Sequence, residues 1–133
     1  MSVGVLLVTH GRLGRHLIET VTEMMGTPPL AIEVVDIQRG QDPDSCVAEA
    51  LEKARCLDSG DGVLMLTDAF GSTPSNVATK AAAQSEDYRI VAGLNLPMLI
   101  RIFNYPEKNL ASMIENAVQG GRQGIISGEN DLG

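Results

Sequence analysis

The feature that most constrains this chain is a regular alternation of short aliphatic runs with amphipathic helical stretches. Val3–Val8 (VGVLLV) is apolar at almost every position, which predicts a strand buried on both faces. Leu13–Met25 predicts a helix, with Leu13, Leu17, Val21 and Met24 along one side. Ile32–Ile37 predicts the second strand. Asp42-Pro43 has the chemistry of an N-cap followed by proline at the first helical position, and Val47, Ala50, Leu51 and Ala54 give the helix it opens an apolar side. Gly60-Asp61-Gly62 is a turn into a third strand, Gly62–Thr67. Thr73-Pro74 opens a helix towards Gln84, and Arg89–Ala92 is the fourth strand. Pro97–Phe103 predicts a short helix, and Leu110, Met113, Ile114, Ala117 and Val118 mark a longer one. Gly124–Ser127 is expected as a last short strand, and 128–133 as a flexible polar tail.

Strands that are apolar throughout and separated by helices belong to a parallel sheet covered on both faces. Short crossovers of one hand then predict an α/β, doubly wound, mainly parallel sheet of strand order 2-1-3-4. The whole chain, 1–133, is read as one domain. With 133 residues, 44% of them hydrophobic, it can fill one core without a metal or disulfide. Cys46 and Cys56 lie ten apart in a helical pattern, too far along the axis to pair, and read as reduced cytosolic thiols. The net charge of −7 argues against nucleic acid and anionic membrane surfaces, which need a basic patch. No run approaches the ~20 apolar residues of a membrane span, and Val3–Val8 is too short and lacks the basic flank of a signal peptide. A cytoplasmic protein is expected.

In such sheets ligands bind beyond the carboxyl ends of the strands, where the strand order reverses. Strand one ends Thr9-His10-Gly11 and strand three ends Thr67-Asp68, followed by Phe70-Gly71-Ser72-Thr73-Pro74. Neighbouring strands are ~4.8 Å apart, so the imidazole and the carboxylate are within hydrogen-bonding reach. A carboxylate accepting one ring N–H fixes the tautomer and leaves the other nitrogen as an oriented nucleophile. Gly71 permits a tight turn, Ser72 and Thr73 bring hydroxyls and N–H groups, and a helix starting at Pro74 offers an anion site, as does the turn at Gly11. Each element alone also has an ordinary structural role: a histidine after a strand, an aspartate as turn or cap, Gly-Ser-Thr-Pro as a helix start. His16 reads as a solvent-facing helix residue, and Arg12, Arg15 and Arg101 as a rim that either faces an anion or only solubilises. No cluster has zinc-ligand spacing and no phosphate-loop or dinucleotide motif is present, so no metal or cofactor is expected.

The chain closely resembles the IIA component of the mannose-type (mannose, fructose, sorbose) bacterial sugar phosphotransferase system. Thr9-His10-Gly11 resembles that family's active-site segment. Arg39-Gly40-Gln41 resembles its PGE/PGD turn, with Arg in place of Pro. Gly62–Asp68 with Phe70–Asn76 resembles its GVLxLxDxxGGSPxN block, with Phe70 where Trp is usual and Ser72 where a second glycine is usual. Val91–Leu99 is similar to VxAGVNxPML, and Gly121–Gly124 to GREG. The resemblance implies a phosphotransferase that takes phosphate from the phosphocarrier HPr onto Nε2 of His10, partnered by Asp68, and passes it to a IIB domain or uses it in regulation. It also implies a homodimer in which the C-terminal strand joins the partner's sheet.

Three alternatives remain at this point. A response-regulator receiver would use Asp68 as acceptor, but it needs an acidic pair after strand one and a late lysine, and neither is in place. A dihydroxyacetone-kinase phosphotransferase subunit would use the same histidine with another acceptor. A regulatory binding module would be phosphorylated only as a signal.

Overall fold

The computed structural model describes residues 2–128. Its elements run β1 (Gly4–His10), α1 (Leu13–Met25), β2 (Ile32–Ile37), α2 (Pro43–Leu57), β3 (Val63–Thr67), α3 (Thr73–Ala82), β4 (Tyr88–Ala92), α4 (Leu96–Asn104) and α5 (Leu110–Gln123). The four strands form one sheet in the order β2-β1-β3-β4, and every pairing is parallel. The register pairs His10 with Ile37 and Val8 with Thr67. The carboxyl ends of β2, β1 and β3 are therefore level, and the loops that follow them share one edge.

Alternation along β1 divides the core. Val5 and Leu7 join Leu64, Leu66 and Val91 beneath α1, α4 and α5. Leu6 and Val8 join Val35, Met65 and Val63 beneath α2 and α3. By the same alternation His10 leaves the sheet on the α2–α3 side. The helix starts follow their cap chemistry. Asp42 accepts from the Ser45 N–H at 3.3 Å with Pro43 behind it, Asn95 accepts from Met98 N–H at 2.9 Å, and Asn109 from Ser112 N–H at 2.9 Å. No helix among the described residues is long and apolar enough to cross a membrane.

Two expectations are corrected. The side of α1 turned to the sheet is Gly14, Leu17, Ile18 and Val21; Leu13 and Met24 flank it and are exposed. Gly14 decides this: a Cβ there would stand 2.9 Å from Thr9 Oγ1 and 3.2 Å from the Leu7 Cβ, so the missing side chain lets α1 lie close against β1. The last strand is also absent, since Ile125–Ser127 is neither strand nor helix. Gly124 N–H donates to the Gly120 carbonyl and Ile125 N–H to that of Arg122, which winds the chain on past α5 instead of extending it. Ile125 and Ile126 are left 78% and 58% exposed. Of the expected tail, 129–133 lie outside the described residues.

Candidate active site

The β1–α1 turn begins at Gly11, whose φ of +51° lies in the left-handed region and whose N–H donates to the Ile37 carbonyl at 2.9 Å. Buried Thr9 ties the same turn down by accepting the Gly14 N–H at 2.8 Å. Between these anchors His10 stands at the strand end, its side chain 55% exposed. Asp68, one residue past β3, is only 10% exposed at its side chain.

The two residues meet. His10 Nδ1 lies 2.8 Å from Asp68 Oδ2, and the His10 backbone N–H donates to the same oxygen at 3.0 Å. Oδ1 accepts the Ala69 N–H at 3.0 Å. A carboxylate with this set of partners makes Nδ1 the protonated ring nitrogen and leaves Nε2 with its lone pair. Burial alone would raise the Asp68 carboxyl. The hydrogen bonds from the His10 backbone and ring, with the ring's charge and Asp68's own backbone, outweigh it and hold the group below the usual carboxylate range.

The β3–α3 loop is arranged differently from a simple ring of donors. Gly71, at φ +83°, gives its N–H to Ser75 Oγ at 3.3 Å. Ser72 spends its N–H and its hydroxyl on the Ala69 carbonyl. Asn76 N–H is the first to reach back into the helix, to the Ser72 carbonyl. Thr73 N–H and hydroxyl have no partner among the described residues. Phe70, between Asp68 and Gly71, is 88% exposed.

On its α2 side His10 lines a cavity of about 440 Å³, together with Thr73, Arg39, Gly40, Gln41 and Cys46. Cys46 is buried there, and burial, then the charges of Glu49 and Asp42, push its thiol up, so it packs as a protonated side chain. The expected arginine rim is dispersed. Arg15 pairs with Asp36 at 3.1 Å, and Arg101 donates to Gln123 at 2.6 Å on the α4–α5 pair. Arg12 is exposed at the start of α1, and His16 is exposed beside Glu19. Arg39, absent from that expected rim, is the arginine beside His10. Its position was implicit in the strand order, because the register of His10 with Ile37 sets the turn after β2 alongside the end of β1. Among the described residues no group of three or more His, Cys, Asp or Glu is placed to hold a metal ion.

The model of the family described as PTS system fructose IIA component matches residues 4–119, a span that holds both His10 and Asp68. The chain belongs to this IIA family. It is 26% identical over 127 residues to the mannose-specific EIIAB component of Escherichia coli K12, across 94% of this chain and 39% of that protein. It is also 26% identical over 121 residues to the transcriptional regulatory protein LevR of Bacillus subtilis, across 88% of this chain and 13% of that one. The chain thus spans well under half the length of these relatives. Among solved structures, the mannose/sorbose specific IIA subunit from Enterococcus faecalis superposes with a TM-score of 0.84 at 26% identity, over 96% of this chain and 95% of that one. IIA components are phosphoryl carriers of the sugar phosphotransferase system, and the fold and membership place this chain among them.

Proposed function

We propose that His10 is the phosphoryl acceptor and that it takes the group from an HPr-like phosphocarrier and passes it to a IIB domain in the cytoplasm. The observation that carries this reading is the 2.8 Å contact between Nδ1 and the Asp68 carboxylate, which leaves Nε2 free on a half-exposed side chain at the carboxyl end of the sheet. The Nε2 lone pair attacks phosphorus as the donor's P–N bond breaks, and that bond's electron pair returns to the donor nitrogen. The ring gains positive character while its Nδ1–H stays bonded to Asp68, and the buried carboxylate opposes that charge in a site only partly open to water. Thr73 supplies hydroxyl and N–H donors at the start of α3; Gly11, Gly71 and Ser72 act by shaping the loops. The likeness to LevR supports a second acceptor class, a regulatory target, reached by the same phosphohistidine.

Incubation with phosphoenolpyruvate, enzyme I and HPr tests the assignment. Intact mass should rise by one phosphoryl group, the label should be acid-labile and base-stable, and His10→Ala should abolish uptake with little change in thermal midpoint. Uptake at the wild-type rate in His10→Ala would remove the central claim.

We also propose a homodimer. Lys53 Nζ donates to the Val34 carbonyl at 2.6 Å and blocks the β2 edge, while β4 ends the sheet on the other side with apolar Ile125 and Ile126 exposed past α5.

A further inference from the structure

A phosphoryl group on Nε2 carries three peripheral oxygens, and among the described residues the β3–α3 loop leaves the Phe70 N–H, Thr73 and the start of α3 to meet them. The other wall of the cavity is the β2–α2 turn. It is a fixed structure: Gly40 sits at φ +83°, Gln41 N–H donates to the Gln38 carbonyl at 3.4 Å, and Gln38 N–H donates to Gln41 Oε1 at 2.7 Å. Cys46 Sγ lies 3.6 Å from that same Oε1. Because Oε1 accepts from a backbone N–H, the other end of the Gln41 amide is the NH₂ group, and it has no partner among the described residues. Arg39 stands in the same position. It forms no ion pair among the described residues, and no carboxylate lines the cavity it shares with His10. Arg12 and Arg55 likewise form no ion pair among the described residues; Arg39 differs from them in lining the cavity that holds His10.

We propose that Arg39 and Gln41 bind the phosphoryl group carried on His10, forming the wall of the phosphoryl site opposite Thr73. The inference rests on His10 as acceptor. Arg39 presents a planar set of N–H donors to the phosphoryl oxygens, and the Gln41 NH₂ adds a neutral donor from the same turn. Gln41 is held by its bond to Gln38 N–H before the group arrives and so reorganises little, while Arg39, exposed on the same turn, brings its charge to the transferring phosphoryl.

Two phosphoryl sources separate contact with the group from contact with a protein. Single-turnover labelling is measured with phosphorylated HPr and with phosphoramidate, a small donor that brings no protein surface. Arg39→Gln should slow labelling by about tenfold to a hundredfold with both donors, on the scale of removing one preorganised donor from a charged transition state. Arg39→Lys should fall between that variant and wild type, since the charge remains and the fork is lost. Gln41→Glu keeps an oxygen for Gln38 N–H and removes only the NH₂ donor, and because it restores the acidic residue of the PGE/PGD turn it should slow both reactions less than Arg39→Gln. Thermal midpoints of all three should stay near wild type, because both side chains are exposed. Wild-type labelling by phosphoramidate in Arg39→Gln and Gln41→Glu would overturn this proposal, even if HPr were slowed, because the residues would then serve docking. Labelling that survives His10→Ala would instead overturn the reading beneath it.

Discussion

Asp68→Asn separates the two tasks the structure gives that carboxylate. Oδ2 accepts from His10 twice and Oδ1 from Ala69 once, in a side chain 10% exposed. The amide has the same shape but only one accepting oxygen. If that oxygen stays with His10, the new NH₂ group faces the Ala69 N–H and leaves it without an acceptor; if it turns to Ala69, both His10 donors lose theirs. Either way at least one donor in a partly buried site goes unpaired, which costs about 1–3 kcal/mol of stability. Charge-assisted hydrogen bonds are worth roughly twice neutral ones, and the substitution also removes the charge that opposes the cationic ring. Transfer should slow by about tenfold to a thousandfold, equivalent to roughly 1.4–4 kcal/mol of barrier, with the label still on His10. The stability difference should depend on pH in a stated direction. Asp68 is held below its ordinary value in the folded chain, so its contribution is complete at neutral pH, where the unfolded chain's carboxyl is also ionised. It is lost as pH falls below about 4 and through the depressed folded value. Urea denaturation of wild type and Asp68→Asn from neutral pH to pH 3 should therefore show a gap that closes at the acid end. Asp68→Asn with the wild-type transfer rate and a gap independent of pH would refute the reasoning and leave Asp68 as a turn residue.

Gly14→Ala should destabilise the fold by about 1–3 kcal/mol, because the added Cβ would stand 2.9 Å from Thr9 Oγ1 and the contact that must give is the anchor of the β1–α1 turn; an unchanged denaturation midpoint would mean α1 is not seated as described. Sedimentation at micromolar concentration should give a dimer, and replacing Ile125 and Ile126 together with Ser should weaken it; a wild-type monomer would exclude that assembly.

Much of the fold was legible because its signals are local. Apolar runs without alternation require a sheet covered on both faces, and Asp42-Pro43 states a helix start in two residues. The His10–Asp68 pair followed from strand order, since only adjacency of β1 and β3 brings residues 58 apart in sequence together. What was hidden depends on an absence or on a neighbour. Counting apolar side chains along α1 gives weight to Leu13 and Met24 and none to Gly14, although the missing Cβ at Gly14 is what seats the helix. Ile125-Ile126 has strand chemistry, but a strand needs a partner, and within the described residues none pairs with it. Gly71 and Ser72 have the right groups for an anion, yet in the folded loop their N–H donors are taken by Ser75 and Ala69.

The net charge of −7 and the proposed phosphoryl site stand in no conflict, because the two act over different distances. At physiological ionic strength the field of exposed charges fades over roughly 8 Å, so the acidic surface beyond that range is largely screened from Nε2. What the phosphoryl meets is set by the groups within a few ångströms. Asp68 is turned to the far nitrogen, Nδ1, where its charge supports the ring, and its oxygens are filled by three N–H donors. The cavity on the α2 side holds no carboxylate and carries Thr73, Arg39 and Gln41. The imidazole thus separates the site into an anionic side and a donor side. A phosphoryl group attached at Nε2 lies on the donor side, with the ring between it and Asp68. Arg39→Gln, set beside loss of the same charge at Arg55 in the last turn of α2, tests whether the separation, more than the overall charge, governs transfer.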